Sequence, residues 1–291
     1  MNQDSIKLTD GRRLGFQKLG DPDGDPLFFF HGTPGSRLVF SADDHLAQIP
    51  GVQLILPERP GYGLSDPRPG RVLLDWPDDV AELADHLSLD TFAVAGESGG
   101  GPYALACAHQ LSTRVSKALV LASPAPCNIK GAGRGLAFGN RLGLWLGRYA
   151  PWLMRRMILG YVPVFEKRPE KFIDALRRQM APSDQALLED ADIRKAIVRD
   201  LKEAYRHGGE GHATDADLAM NSRGWGFDLR EIAVPVYLWH GVEDTLVSMV
   251  MAQHLAGEIP GRTAHFVEGS GHLLTENPVV QGEIERVLLS G

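Results

Sequence analysis

The stretch VAGESGGGPYALA, residues 94–106, places four glycines around a single serine at the end of an apolar run. The run favours a buried strand, and the small apolar residues after the glycines favour a helix. Residues 96–100, GESGG, fit the pattern G-x-S-x-G, which presents a serine nucleophile on a strained strand-to-helix turn. The alternative is that Ser98 only caps the helix N-terminus within a glycine-rich turn. The location between a strand and a helix favours the nucleophile.

Strand and helix patterns alternate on both sides of this stretch. An Asp-Gly pair at residues 10 and 11 predicts an early hairpin. Further strands are predicted at 26–32, 52–58, 91–98, 116–123, 234–241 and 264–269, and helices at 36–49, 76–89, 100–111, 246–257 and from 275 onward. Such alternation predicts an α/β fold with a mostly parallel central sheet and helices on both faces.

The alternation stops between residues 124 and 227, which show helical periodicity with several prolines and no strand pattern. Because strands resume after this block, an insertion between two strands of one sheet is a simpler interpretation than a linker between independent domains. We therefore predict a core formed by residues 1–123 and 228–291 and a helical cap formed by residues 124–227.

A serine nucleophile needs a base, and the base needs an acid to orient it. Asp244 follows the predicted strand 234–241, and His272 follows the predicted strand 264–269. Ser98, Asp244 and His272 therefore come after three separate strands, at the edge where open parallel sheets place their sites. We predict that these three residues form a catalytic triad.

Other residues compete for two of these positions. Glu243 is a rival acid, and His240 and His265 are rival bases, although His240 ends a strand and His265 lies within one, where packed histidines are common. Residues 98–165 contain no acidic side chain, which excludes an acid placed directly after the strand 116–123.

The proposed nucleophile also needs N–H donors for the negative charge that develops on the substrate oxygen. The residue after the serine, Gly99, supplies one such N–H group. The loop after the first buried strand reads HGTPG, residues 31–35, and Thr33 supplies the second, because Pro34 has no N–H group. The alternative interpretation of this loop is a tight turn without a catalytic role.

With these parts assembled, the chain resembles the α/β-hydrolase superfamily over nearly its whole length. The matching segments, in order, are HGTPGS, ERPGYGLSD, GESGGG, HGVEDTLV and GHLLTENP. The resemblance implies a capped serine hydrolase with Ser98, Asp244 and His272 as triad and Thr33 with Gly99 as oxyanion hole. HGTPG is close to the HGGPG of proline iminopeptidases, whereas GESGG and ERPGYG differ from the forms in those peptidases.

The cap carries a basic and apolar pattern. Arginines recur every seven residues from Arg134 to Arg155, beside an apolar stripe that includes Trp145. One interpretation is ordinary packing of the stripe against the core. The other is a cationic amphipathic surface that attracts acidic or acyl-chain substrates or makes a weak membrane contact; Arg141, Trp145 and Arg148 are its candidate substrate-binding residues.

Composition restricts the function classes. The 30 basic and 37 acidic residues give a net charge of −7, which argues against a nucleic-acid partner. Two cysteines, the lack of a signal-peptide pattern and the absence of an apolar run of about 20 residues predict a cytoplasmic protein without a transmembrane segment. No metal-ligand cluster or phosphate loop is evident, so no metal or organic cofactor is expected. The oligomeric state is not indicated.

The sequence thus predicts hydrolysis of a small carboxylic ester through an acyl-enzyme. Peptidase or amidase activity and carbon–carbon bond hydrolysis are alternatives on the same fold; Glu203, Glu210 or Asp215 of the cap would bind a substrate amine in the peptidase case. A ligand-binding regulator that reacts at most once is the alternative from another class.

Overall fold

The computed structural model describes residues 2–220 and 224–290. Within them, eight strands form one sheet in the order β1-β2-β4-β3-β5-β6-β7-β8. The strands are β1 (Asn2–Lys7), β2 (Arg13–Gly20), β3 (Asp25–Phe30), β4 (Val52–Pro57), β5 (Phe92–Glu97), β6 (Val115–Leu121), β7 (Val236–Gly241) and β8 (Arg262–Val267). The pairings of β2 with β1 and with β4 are antiparallel, and the remaining pairings are parallel. The early hairpin and the mostly parallel sheet are confirmed.

The described residues form eleven helices, of which the first three and the last two cover the faces of this sheet. They are α1 (His45–Gln48), α2 (Trp76–His86), α3 (Gly101–Gln110), α4 (Phe138–Tyr149), α5 (Pro151–Lys167), α6 (Pro169–Arg177), α7 (Pro182–Leu187), α8 (Ala191–Ala204), α9 (Glu210–Met220), α10 (Met249–Glu258) and α11 (Pro278–Leu289). Because side chains alternate along a strand, β6 buries Ala118 and Val120 against α2, α3 and α10, but Leu119 and Leu121 against α1 and α11. The central strands are therefore apolar on both faces, as their continuous apolar runs predict.

Helices α4 to α9 lie between β6 and β7, as expected for an inserted block. They contain an apolar cluster of their own, built on Val162, Phe165, Ile173, Leu188 and Leu201. The division into core and cap at residues 124 and 227 remains a prediction.

The helix predicted over residues 36–49 is much shorter than expected, because only His45–Gln48 is helical. Residues 36–44 instead follow turns that tertiary contacts hold in place. The Ser36 N–H and hydroxyl both donate to Asp200 of α8, at 2.8 and 2.6 Å, and the buried Arg37 guanidinium binds Glu58 at 2.7 Å. The helical periodicity of this segment is therefore overridden by polar contacts to distant residues.

No helix in the described part of the chain is both long and apolar enough to cross a membrane.

Candidate active site

Ser98 lies directly after β5, where one 3-10 turn, Ser98–Gly100, leads into α3. Its φ of 51° is in the left-handed region, which costs a residue other than glycine about 1–3 kcal/mol. Gly96 and Gly100 make the turn possible: a Cβ on Gly96 would collide with the Gly100 carbonyl, and one on Gly100 with the Phe30 carbonyl. The glycines in GESGG are thus required by close backbone approach, and the strained serine conformation matches the prediction.

Asp244 and His272 form a buried pair in the loops after β7 and β8. The Nδ1 atom of His272 lies 2.7 Å from Oδ2 of Asp244. The other Asp244 oxygen accepts the Leu246 and Val247 N–H groups at 2.8 and 2.9 Å, which fixes the carboxylate. The rival acid Glu243 is exposed. The structure therefore brings together the two residues predicted as acid and base.

The pKa values of His272 and Asp244 both differ from their ordinary values. Burial disfavours the imidazolium, but the carboxylates of Asp244, Glu97 and Asp184 together outweigh burial and raise the pKa of His272 to about 9. Burial also acts against the Asp244 charge, yet His272 holds the pKa of Asp244 below its ordinary value. Each partner stabilises the charged form of the other.

The two rival bases, His240 and His265, are packed against other parts of the structure. His240 is buried, its Nε2 lies 3.1 Å from the Val247 carbonyl, and burial lowers its pKa. It lies 3.8 Å from Asp244, farther than His272. His265 stacks on Trp239 with ring centroids 5.5 Å apart. Both histidines are accounted for by packing.

The HGTPG loop lies against the serine turn, because β3 pairs with β5 as far as Phe30 and Gly96. A Cβ placed on Gly99 would lie 3.1 Å from the Thr33 backbone nitrogen, and one on Gly32 3.7 Å from the Ser98 Cβ. Thr33 and Gly99, the two predicted N–H donors, are therefore neighbours beside Ser98.

The buried carboxylate of Asp215 in α9, considered from the sequence only as a binder of a substrate amine, lies behind this loop. Five side chains donate hydrogen bonds to it: Thr33 (3.1 Å), Arg59 (2.9 Å), Tyr62 (2.9 Å), Tyr103 (2.6 Å) and Arg71. Burial alone would raise the pKa of Asp215, but Arg59 and Arg71 hold it well below the ordinary value. The carboxylate is therefore charged and fully occupied.

Arg59 connects this carboxylate to the HGTPG loop. Its guanidinium donates to the His31 carbonyl at 2.5 Å, to the Gly32 carbonyl at 2.8 Å and to the Thr33 hydroxyl at 3.0 Å. The loop that carries one predicted oxyanion donor is thus fixed by a charged group whose counter-ion comes from the helical block.

A second buried carboxylate of that block, Asp184 of α7, holds the histidine loop. Its two oxygens accept the His272 N–H at 2.8 Å and the Leu273 N–H at 3.0 Å. Gly271 is required here, since a Cβ on it would collide with the carboxylate. With Asp200 bound to Ser36, three aspartates of the helical block each fix a loop at the carboxyl edge of the sheet.

These contacts leave little room for the amine-binding role considered for the acidic residues of the cap. Asp215 is saturated by the five donors, Glu203 binds Arg37 and Arg206, and Glu210 binds Arg155. In the structure, each of the three carboxylates already has a cationic partner from the chain itself.

Glu97, the residue before Ser98, interacts electrostatically with His272. The Thr275 hydroxyl donates to its carboxylate at 3.2 Å. Burial raises the pKa of Glu97 to about 7, partly opposed by His272. The Glu97 charge in turn raises the pKa of His272, so this side chain influences the candidate base.

Arg141, Trp145 and Arg148 line a surface groove of about 560 Å³ together with the segment 131–135. Neither Ser98, Asp244 nor His272 is among the residues lining that groove. The packing interpretation of the apolar stripe is wrong for most of its members, because Trp145 is 54% exposed and Tyr149 64%. The buried residues of α4 are Leu146 and Gly147 instead.

In the described ranges, His, Cys, Asp and Glu side chains form no group of three or more with a metal-binding arrangement. Cys107 and Cys127 are both free thiols.

Comparison with known proteins identifies the family. The model of the alpha/beta hydrolase family matches residues 27–281. The chain belongs to that family. It is 26% identical to a non-heme chloroperoxidase of Streptomyces lividans over 95% of both chains, and 23% identical to a bifunctional esterase/perhydrolase of Acinetobacter calcoaceticus over 87% of both. A hydrolase from Pseudomonas aeruginosa shares the fold with a TM-score of 0.74 at 19% identity, covering 100% of this chain and 99% of that one. This alpha/beta hydrolase is thus an enzyme of the superfamily, with esterases among its relatives.

Proposed function

We propose that this alpha/beta hydrolase cleaves small carboxylic esters through an acyl-enzyme on Ser98. The observation that carries the proposal is the buried 2.7 Å contact between His272 Nδ1 and Asp244, at the same sheet edge as a serine in a strained turn. A buried carboxylate bound to Nδ1 fixes the imidazole tautomer and leaves Nε2 as the proton acceptor.

In the proposed acylation step, Nε2 of His272 takes the proton of the Ser98 hydroxyl as its oxygen attacks the ester carbonyl. Asp244 stabilises the imidazolium that forms. The N–H groups of Thr33 and Gly99 bind the oxygen that becomes negatively charged. His272 then gives its proton to the leaving alcohol, and the acyl group stays on Ser98.

In the proposed deacylation step, His272 takes a proton from water, which attacks the acyl-enzyme carbonyl. The same two N–H groups bind the second oxyanion. Collapse of the intermediate returns the proton to Ser98 and releases the carboxylic acid. Apart from the ester and water, every group in these proposed steps belongs to the chain.

The choice of an ester rests on family resemblance and on the surroundings of the site. The Acinetobacter calcoaceticus relative is named an esterase/perhydrolase. A peptidase that holds a substrate amine needs an unpaired carboxylate, and Glu203, Glu210 and Asp215 each bind an arginine. These observations favour an ester over a peptide whose amine is held by one of these carboxylates.

The test is turnover of p-nitrophenyl esters from acetate to decanoate by the wild type, Ser98→Ala and the control Ser112→Ala, an exposed serine after α3. We expect repeated turnover, a loss on the order of 10⁴-fold or more in Ser98→Ala, and wild-type rates in the control. A single burst without further turnover supports the regulator alternative. Equal rates in Ser98→Ala and wild type contradict the proposed nucleophile.

A further inference from the structure

Exposed apolar side chains are concentrated on one part of the helical block. Among the described residues, seven of the eleven large exposed hydrophobic side chains lie between residues 138 and 164. They are Phe138, Leu142, Trp145, Tyr149, Trp152, Met157 and Val164. Large exposed patches of this kind mark interaction sites, whereas single exposed apolar residues are ordinary.

Four of these side chains form a continuous stripe on α4. Phe138, Leu142, Trp145 and Tyr149 follow the spacing i, i+4, i+7 and i+11, so they fall within about 60° of one another around the helix. Phe138 is 78% exposed, and the rings of Trp145 and Tyr149 lie 5.7 Å apart. The stripe is therefore a single outward face, with Leu146 and Gly147 buried on the rest of the helix.

Two arginines flank this stripe on one side. Neither Arg141 nor Arg148 forms an ion pair with a carboxylate of the described residues, whereas Arg155 of α5 binds Glu210 and Asp217. The Arg148 guanidinium instead lies 5.5 Å from the centre of the Tyr149 ring. Residues 98–165 contain no acidic side chain, so no carboxylate comes from the segment that carries these arginines.

We propose that the cap face, defined as Phe138, Arg141, Leu142, Trp145, Arg148 and Tyr149, docks on an anionic phospholipid surface. Helices that lie in a membrane interface combine an apolar face rich in Trp, Phe and Leu with flanking basic residues. Trp and Tyr rings favour the level of the lipid headgroups, and each basic residue near an anionic surface contributes about 1 kcal/mol. α4 lies parallel to the interface in this arrangement, without spanning it.

Charge favours a lipid surface over a second copy of the chain. In a two-fold symmetric dimer, each cap face meets its own copy, so that arginines approach arginines with no acidic residue of the face between them. The protein as a whole has a net charge of −7 and is repelled by an anionic surface in other orientations. The cap face therefore also determines the orientation of the docked enzyme.

The test is co-sedimentation of the full chain with phosphatidylcholine vesicles that contain or lack phosphatidylserine. We expect binding only with phosphatidylserine. Arg141→Gln with Arg148→Gln lowers the partition coefficient roughly 30-fold, which corresponds to about 2 kcal/mol for two basic residues. Trp145→Ser with Tyr149→Ser also abolishes most binding, because the apolar contact is lost. The exposed controls Lys202→Gln and Phe266→Ser leave it unchanged.

Light scattering after gel filtration, together with thermal denaturation, completes the experiment. All of these residues are exposed, so we expect wild-type melting temperatures for the variants. Wild type that fails to bind phosphatidylserine vesicles overturns the proposal, as does binding that the cap-face variants retain. A wild type that does not bind vesicles but forms a dimer, which becomes monomeric in Trp145→Ser with Tyr149→Ser, also overturns it, because the face is then an interface between copies.

Discussion

The buried carboxylate of Asp215 offers the most informative substitution, Asp215→Asn. Asparagine keeps the size of the side chain and one acceptor oxygen but removes the charge. Arg59 and Arg71 both form ion pairs with Asp215, and both are buried. The substitution therefore leaves two buried guanidinium groups without their counter-ion.

The magnitude follows from that arrangement. Removing one partner of a buried ion pair costs about 3–5 kcal/mol of folding free energy. Arg59 keeps the carbonyl acceptors of His31 and Gly32, and Arg71 keeps the Tyr103 hydroxyl, which limits the loss to this range. With a urea m-value of about 2–3 kcal/mol/M, the unfolding midpoint falls by roughly 1–2.5 M.

The assay is urea unfolding followed by far-UV circular dichroism, with Asp192→Asn as the matched control. Asp192 is an aspartate of the same helical block, but it is exposed and binds the exposed Lys195. We expect no measurable change in the control, because exposed pairs contribute little. If Asp215→Asn is as stable as the control, the reasoning about this buried charge is refuted.

A companion pair, Thr33→Val and Thr33→Ser, separates stability from activity. Valine removes the hydroxyl that contacts Asp215 and Arg59, but it keeps the backbone N–H, and serine restores the hydroxyl. We expect kcat to fall about 10-fold in Thr33→Val and to recover in Thr33→Ser, because the hydroxyl orients the loop. Equal kcat values in both variants contradict a positioning role for this contact.

Three further predictions concern His272 and its neighbours. Since the proposed base must be neutral, kcat/KM rises with pH through the raised His272 pKa of about 9, and a pH–rate profile measures this limb. The folding free energy contributed by the charged His272–Asp244 pair is complete below pH 6.5 and is lost as the pH rises through 9. Glu97→Gln removes a charge that raises the pKa of His272, so the limb moves to lower pH. An unchanged profile, matching that of the exposed control Glu243→Gln, is the contrary result. Asp184→Asn weakens the hydrogen bonds that hold the His272 and Leu273 N–H groups. Steady-state kinetics should show kcat lowered several-fold with little change in KM, and urea unfolding should show a folding free energy lowered by about 1–3 kcal/mol.

Local pattern was sufficient to predict the sheet and the contact between Asp244 and His272. Continuous apolar runs identify strands that are buried on both faces, and the carboxyl ends of parallel strands share one edge. Ser98 directly follows β5, and Asp244 and His272 lie in the loops after β7 and β8. The pairing of these parallel strands therefore places all three residues at one edge of the sheet, without knowledge of any distant contact; the contact between Ser98 and His272 remains a prediction.

The contacts that hold the loops of the site in place could not be predicted from local sequence patterns. Asp215 is 182 residues from Thr33 in the chain, and Asp184 is 88 residues from His272. Nothing in the local sequence distinguishes these aspartates from exposed ones such as Asp192. The same reason explains the turns at residues 36–44, where Asp200 binds Ser36 from 164 residues away and overrides the helical pattern.

The stripe on α4 shows another limit of periodicity. Spacing identifies which side chains share a face of a helix, but not whether that face meets the core or solvent. The structure buries Leu146 and leaves Trp145 and Tyr149 exposed, so the amphipathic pattern of α4 points outward.

The most direct test of the central claim is intact-mass analysis after treatment with a fluorophosphonate, which transfers its phosphonyl group to an activated serine and loses fluoride. The account predicts one adduct per chain, located by peptide mapping on the peptide that carries Ser98. It also predicts no adduct in Ser98→Ala and much slower labelling in His272→Ala, because the hydroxyl then lacks its base. An unlabelled wild type, or an adduct that persists in Ser98→Ala, contradicts Ser98 as the nucleophile.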